Sequence, residues 1–141
     1  MSKNDKIISQ KVIGAFEKVS FPEFGITEVV AKIDTGAYTG ALHATNIREE
    51  EKDDQVFIHF SPFDHPETTY STSDFYIKPV TSSNGHLEER YFIDTVIIIS
   101  GVKYPIMLSL ANRSAMNWPV LIGRRFLRTN DLLVDVTRIN K

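Results

Sequence analysis

The chain has 141 residues, of which 42% are hydrophobic and 24% are charged, and its formal net charge is -2. This size and balance predict a single domain over residues 1–141, with a flexible tail over residues 1–10. The interspersed charges predict neither nucleic-acid nor membrane binding, and the absence of cysteine excludes disulfides, thiolate zinc sites and cysteine nucleophiles. Because the polar N-terminus lacks the apolar segment of a secretory signal, we expect a cytoplasmic protein.

Runs of β-branched and aromatic residues mark the predicted strands. In chain order they cover residues 11–19, 27–33, 55–60, 68–80, 91–100 and 102–110, of which the first and fourth are the weaker. Ser100-Gly101 predicts a hairpin turn, and the charged run 49–54 predicts a solvated loop tip. Only residues 124–132 have a helical pattern. Many short strands and one late helix predict an all-β sandwich or barrel.

The strand at 27–33 runs directly into Asp34-Thr-Gly-Ala37. A strand holds the carboxylate in a fixed place, and Gly36 permits a tight turn with backbone N–H groups close to it. Thr35 can lock the loop with its hydroxyl, and the small Ala37 lets another backbone approach. The same tripeptide also occurs as ordinary turn chemistry. The functional reading gains support from residues 120–127, an apolar strand followed by a glycine, an arginine and a short helix.

Together these two motifs resemble the retropepsins, the dimeric aspartic proteases of retroviruses. The sequence is more closely similar to a bacterial retropepsin-like family labelled "ATP-dependent zinc protease" and associated with RimK-type glutamate ligases. The resemblance is carried in order by residues 31–37, 41–44, 82–86 with 89–90, 112–113 with 116, 121–124 and 133–135. It implies a pepsin-type closed barrel of one lobe with one short C-terminal helix. It also implies a homodimer, because the second catalytic carboxylate must come from a twofold-related copy.

The family implies a role for each motif. Asp34 would be the catalytic residue of an aspartic peptidase, and Thr35, Gly36 and Ala37 would form its active-site loop. Gly123 and Arg124 would support that loop, Arg124 through an internal ion pair. Retropepsins close a β-hairpin flap over the substrate, and the matching tip consists of Ser83, Asn84, Gly85 and His86, which could equally form a surface hairpin without substrate contact.

The RimK association suggests a glutamate-rich or glutamate-tailed protein as the substrate, and a RimK-type ligase or its modified target as a partner. Two readings of Arg90 and Arg113 stay open, a clamp for acidic substrate groups or a structural role. Tyr38 would narrow the cleft or pack at the dimer interface. We expect a core or interface position for Trp118 and a structural role for Asp135.

Two alternatives to a peptidase remain. One is a retropepsin-like module that binds a peptide or partner without catalysis, and the other is a zinc hydrolase. The four histidines show no familiar ligand spacing, although they could meet Asp64 or Glu88 in space; they are His43, His59, His65 and His86. We expect solvated or core-packed histidines, no metal site and no cofactor. The chain also lacks the glycine-rich loop with Lys-Ser/Thr that the ATP label would need.

Overall fold

The computed structural model describes residues 11–82 and 84–141, so the predicted tail over 1–10 and Ser83 lie outside the described residues. The described chain contains ten strands, a 3-10 turn at Pro22–Phe24 and one α-helix. The strands are β1 Lys11–Phe21, β2 Ile26–Ile33, β3 Gly40–Lys52, β4 Gln55–Pro62, β5 Tyr70–Thr72, β6 Tyr76–Thr81, β7 Leu87–Ile99, β8 Val102–Ala111, β9 Val120–Ile122 and β10 Leu132–Ile139. Helix α1, Arg124–Thr129, lies between β9 and β10.

Six strands close into a barrel. They follow the order β1-β2-β9-β3-β8-β7, and the ring closes where β7 pairs with β1 through Ile99 and Val19. β10 and β6 continue the sheet beyond β1 and β7, and β4 and β5 extend from β3. The predicted all-β closed barrel with one short helix is therefore confirmed.

The barrel interior is filled by the inward-facing residues of all six of its strands. In β7 the buried positions Ile93, Thr95, Ile97 and Ile99 are every second residue, as expected when one face of a strand meets a core, and Phe92 on the other face is buried as well. Each such aliphatic side chain contributes about 1.5–3 kcal/mol when fully buried. An aromatic cluster packs β4 and β5 against the barrel; its members are Phe21, Phe24, Phe60, Phe63 and Tyr70.

Strand β3 was not predicted from the sequence. Its first five residues, 40–44, are buried in the barrel, whereas the rest form an exposed ribbon with β4. The predicted loop tip at 49–54 is wrong for residues 49–52, because these charged residues pair with β4 on a solvated ribbon. Only Asp53 and Asp54, both with positive φ, make the turn.

The remaining differences concern element boundaries. The helix predicted to residue 132 ends at Thr129, and Leu132 begins β10. The weak strand predicted at 68–80 divides into β5 and β6. The hairpin at Ser100-Gly101 is confirmed, since both residues have positive φ and join β7 directly to β8. No helix of the described chain is long and apolar enough to cross a membrane.

Candidate active site

The Asp34 carboxylate lies at the point where β2 ends. β2 pairs in parallel with β9, and the Asp34 N–H donates to the Ile122 carbonyl at 2.8 Å. The Asp34 carbonyl accepts the Ala37 N–H at 3.1 Å, which closes a turn. Within that turn the Gly36 N–H donates to Asp34 Oδ1, also at 3.1 Å. Backbone groups therefore fix both the main chain and the carboxylate of Asp34.

A second loop, at the start of α1, is bound to the Asp34 loop. The Arg124 N–H donates to the Ala37 carbonyl at 2.8 Å, and the Arg125 N–H donates to the Tyr38 carbonyl at 3.1 Å. Arg124 Nη1 donates to the Gly36 carbonyl at 3.0 Å, and its guanidinium lies 5.4 Å from the centre of the Tyr38 ring. Arg124 thus links the two loops, but through a carbonyl and a ring. The expected internal ion pair is not found among the described residues.

Glycine is required at position 123 because these two loops lie so close together. A Cβ atom at this position would lie 2.5 Å from the Tyr38 carbonyl oxygen and 2.9 Å from that of Ala37. Real Cβ atoms do not approach backbone oxygens so closely, and neither loop can move without breaking its hydrogen bonds. The sequence prediction that Gly123 supports the Asp34 loop therefore has a steric reason.

Asp34 opens into a cleft of about 1020 Å³. The Asp34 loop and the start of α1 form its floor, and its walls come from the β6–β7 hairpin and from the loop 112–119. The cleft is rich in basic side chains, namely Lys32, Lys78, Arg90, Arg113, Arg124 and Arg125, whereas its acidic side chains are Asp34 and Glu88. A protein with a net charge of -2 therefore has a positively charged cleft. Such a cleft attracts anionic groups.

The predicted flap residues lie at the tip of the β6–β7 hairpin. The Ser82 N–H donates to the His86 carbonyl at 2.7 Å, and the Gly85 N–H donates to the Ser82 carbonyl at 2.9 Å. Asn84, Gly85 and His86 are exposed, and the cleft is lined instead by residues 78–82 and by Glu88 and Arg90. Substrate contact by the tip stays a prediction.

Arg113 lies half-buried in the wall of the cleft. Its Nε donates to the Trp118 carbonyl at 3.0 Å. Burial lowers the pKa of Arg113, the neighbouring positive charge of Arg90 lowers it further, and Asp34 acts in the opposite direction. Arg90 itself donates through Nη2 to Glu88 Oε1 at 2.7 Å. From the sequence, the roles of Arg90 and Arg113 stayed open between a substrate clamp and a structural role. The structure places both in the same cleft as Asp34.

The histidines do not gather into a metal site. His43 Nε2 lies 2.9 Å from Asp64 Oδ1, and His59 Nε2 lies 3.4 Å from Glu50 Oε2. In residues 11–82 and 84–141 no three His, Asp or Glu side chains are close enough together to hold a metal ion. The residues described therefore do not fit the zinc of the family label.

Comparison with known proteins gives a consistent result. A family model described as RimB-like, "Retropepsin-like aspartic endopeptidase RimB", matches residues 12–140. A crystal structure of Lpg0085, a Legionella pneumophila protein of unknown function (DUF785), superposes with a TM-score of 0.73 at 28% identity, covering 94% of this chain and 98% of that one.

Curated relatives are similar over most of this chain. A probable alpha-L-glutamate ligase of Shewanella halifaxensis is 32% identical over 129 residues, and one of Desulfotalea psychrophila is 33% identical over 135 residues. These matches cover 88% and 91% of this chain. The chain spans only 28% of the length of each of these relatives.

Proposed function

Because the chain belongs to the RimB-like family of retropepsin-like aspartic endopeptidases, we propose that it hydrolyses peptide or amide bonds with Asp34 as the catalytic carboxylate. The observation that carries this proposal is the Asp34 loop. Its carboxylate is held by the Gly36 N–H, its backbone is bonded to β9 and to the start of α1, and it opens into the large cleft. Such fixed geometry suits a group that must activate a water molecule beside a substrate.

We further propose that the active form is a homodimer with Asp34 of each copy beside the twofold axis. One Asp-Thr-Gly per chain supports this, as does the surface position of the loop, in which Thr35 and Gly36 are exposed and Asp34 is half-buried. Two carboxylates a few ångströms apart cannot both ionise easily, so the pair shares one proton and titrates as a unit, as in aspartic proteases generally.

In the proposed reaction, the ionised Asp34 takes a proton from the bridging water as the water oxygen attacks the substrate carbonyl carbon. The protonated Asp34 of the partner subunit donates a hydrogen bond to the carbonyl oxygen. The C–N bond then breaks, and the leaving nitrogen receives a proton from the pair. The products are one carboxylic acid and one amine, and the shared proton is restored.

We propose a glutamate-rich or glutamate-tailed protein as the substrate. The excess of basic side chains in the cleft supports an anionic peptide, because guanidinium and ammonium groups pair with carboxylates. The relatives named as probable alpha-L-glutamate ligases support the same class. A RimK-type ligase, or the protein that it modifies, is the proposed partner.

The decisive test compares Asp34→Asn with the wild-type protein on a glutamate-tailed peptide, with cleavage followed by mass spectrometry. We expect the rate of cleavage to fall by about 10²- to 10⁴-fold, the usual contribution of general acid–base catalysis. Thermal denaturation and sedimentation should still show a folded dimer. Asp53→Asn, at an exposed turn with positive φ that asparagine tolerates, is the matched control and should keep full activity. Full activity of Asp34→Asn would overturn the assignment.

The second candidate is a module that binds a glutamate-rich peptide or a ligase without cleaving it. It is favoured by the fact that in the curated relatives the segment similar to this chain is 28% of a longer protein named for ligation. If this candidate is correct, the wild-type protein binds the peptide and leaves it intact. Formation of a dimer does not change how the peptide is bound. Sedimentation of a monomer together with an uncleaved peptide would establish it.

A further inference from the structure

We propose that Arg113 and Arg90 form a carboxylate-binding subsite beside Asp34, and that His43, paired with Asp64, is the positioning residue that holds Arg113 in it. This inference rests on the proposed function, since it assigns the recognition of acidic side chains to particular residues. The ligand class is a side-chain carboxylate of a bound peptide.

The imidazole of His43 is buried and satisfied at both nitrogens. Nδ1 accepts the backbone N–H of Arg113 at 2.8 Å, and Nε2 lies 2.9 Å from Asp64 Oδ1. Because Nδ1 acts as an acceptor, the ring hydrogen is on Nε2 and donates to the Asp64 carboxylate. Asp64 thereby fixes both the tautomer and the orientation that present an acceptor to Arg113.

The backbone of His43 holds the other end of the same loop. Its N–H donates to the Pro119 carbonyl at 2.8 Å, so one residue binds the loop 112–119 at both ends. Inside the loop, the Met116 N–H donates to the Arg113 carbonyl at 2.8 Å, and Arg113 Nε donates to the Trp118 carbonyl at 3.0 Å. The Arg113 side chain is therefore fixed at its backbone and at Nε.

The outer end of the Arg113 guanidinium remains available for a ligand. Its Nη1 and Nη2 have no hydrogen-bond partner, and no carboxylate forms an ion pair with it, within residues 11–82 and 84–141. Arg90 and Asp34 line the same cleft; Arg90, which Glu88 already binds through one nitrogen, disfavours the charge on Arg113, and Asp34 favours it. A half-buried cation beside a second cation is stabilised by an incoming carboxylate, which guanidinium binds through two nitrogens.

The test uses two peptides of equal length, one with glutamates around the scissile bond and one with glutamines in their place. The measured quantity is the ratio of kcat/KM for the two peptides. Arg113→Gln should lower the preference for glutamate about 10- to 100-fold, the range for losing a charge-assisted hydrogen-bonded pair. The loss should appear in KM for the glutamate peptide and not in kcat, because the subsite binds substrate and does not take part in bond cleavage.

Two substitutions at His43 distinguish a role in positioning Arg113 from a role in packing alone. Asparagine places Oδ1 near the position of Nδ1 and keeps an acceptor for the Arg113 N–H, whereas leucine fills similar volume without one. We expect His43→Leu to lower the glutamate preference about fivefold or more, and His43→Asn to keep most of it. Wild-type preference in His43→Leu, or in Arg113→Gln, would overturn the proposal, as would equal losses in the leucine and asparagine variants.

Two further measurements keep the proposal testable if a variant does not fold or if no peptide is cleaved. Hydrogen exchange of the Arg113 amide should be slowed about tenfold or more in the wild-type protein and should accelerate in Asp64→Ala. An unprotected amide in the wild type contradicts the His43 hydrogen bond. Binding of the same peptides, measured by fluorescence anisotropy in the Asp34→Asn background, reports the subsite without catalysis. Failure of the proposed peptidase activity is therefore distinguished from failure of the subsite.

Discussion

The floor and the walls of the cleft are built in different ways. In the floor, the Asp34 loop and the start of α1 are bonded backbone to backbone, and Gly123 leaves no space between them. The walls, the β6–β7 hairpin and the loop 112–119, place long charged side chains in the cleft, and the hairpin tip is exposed. The proposed chemistry therefore depends on the rigid floor, whereas the proposed selectivity depends on the charged side chains of the walls, of which Arg113 is held by the buried His43.

The largest expected effect on stability is that of Gly123→Ala in the floor. The added Cβ would meet the Tyr38 carbonyl oxygen at 2.5 Å, so the two loops must separate and lose the hydrogen bonds that hold Asp34. We expect a loss of about 2–3 kcal/mol in the free energy of unfolding, at the upper end of typical overpacking costs. Denaturant unfolding measures the loss, and peptide cleavage should fall with it. Unchanged stability would show that the floor is not tightly packed.

Arg124→Met should have the next largest effect. Methionine keeps an aliphatic stem but loses the hydrogen bond to the Gly36 carbonyl and the contact with the Tyr38 ring. We expect a loss of about 1–2 kcal/mol, below the usual sum for a hydrogen bond of a charged group and a cation–π contact, because solvent weakens this exposed bond. Arg125→Met is the matched control, because its link to the floor is made by the backbone N–H, which the substitution retains. Equal melting temperatures for the two variants would show that the Arg124 side chain does not join the loops.

The floor could be predicted from the sequence because its determinants are contiguous. Asp34-Thr-Gly-Ala37 and the Gly123-Arg124 pair are each a few residues long, and each follows a strand that its own composition reveals. The strand β3 could not be predicted. Its buried half is made of small and mixed residues, its exposed half carries charges on both faces, and only pairing with β4, β8 and β9 makes it a strand.

The charged lining of the walls could not be predicted, because the cleft assembles it from distant segments. Its basic side chains come from β2, β6, β7, the loop 112–119 and α1. The bond between His43 and Arg113 joins residues 70 positions apart in the chain. In the sequence the segments that carry these arginines and histidines lie far apart. The local spacing of these residues does not indicate which of them line the same cleft.

Gly85→Ala tests whether the tip of the β6–β7 hairpin is loosely packed, in contrast to the floor of the cleft. Gly85 has φ +80°, and a Cβ there would meet no atom within 4 Å, so the cost is that of the backbone conformation alone. We expect a loss of about 1 kcal/mol, smaller than for Gly123→Ala. Gly101→Ala, with φ +77° and equally open space in the β7–β8 turn, is the matched control. If the tip acts as a flap, the two variants should have similar melting temperatures, and only Gly85→Ala should change kcat or KM.

The smallest effect is expected for Lys78→Met, which removes one charge from the wall, where Lys78 Nζ lies 5.6 Å from the centre of the Tyr76 ring and 5.5 Å from that of the Phe92 ring. We expect binding of a glutamate-rich peptide to weaken about two- to fivefold, and the difference to shrink as added salt screens the cleft. Lys103→Met, at an exposed position of β8 outside the cleft, is the control and should bind like the wild type. Fluorescence anisotropy at low and high salt measures both variants. A large loss of stability in Lys78→Met would mean that the walls, like the floor, support the fold. The proposed assignment of chemistry to the floor and selectivity to the walls would then be wrong.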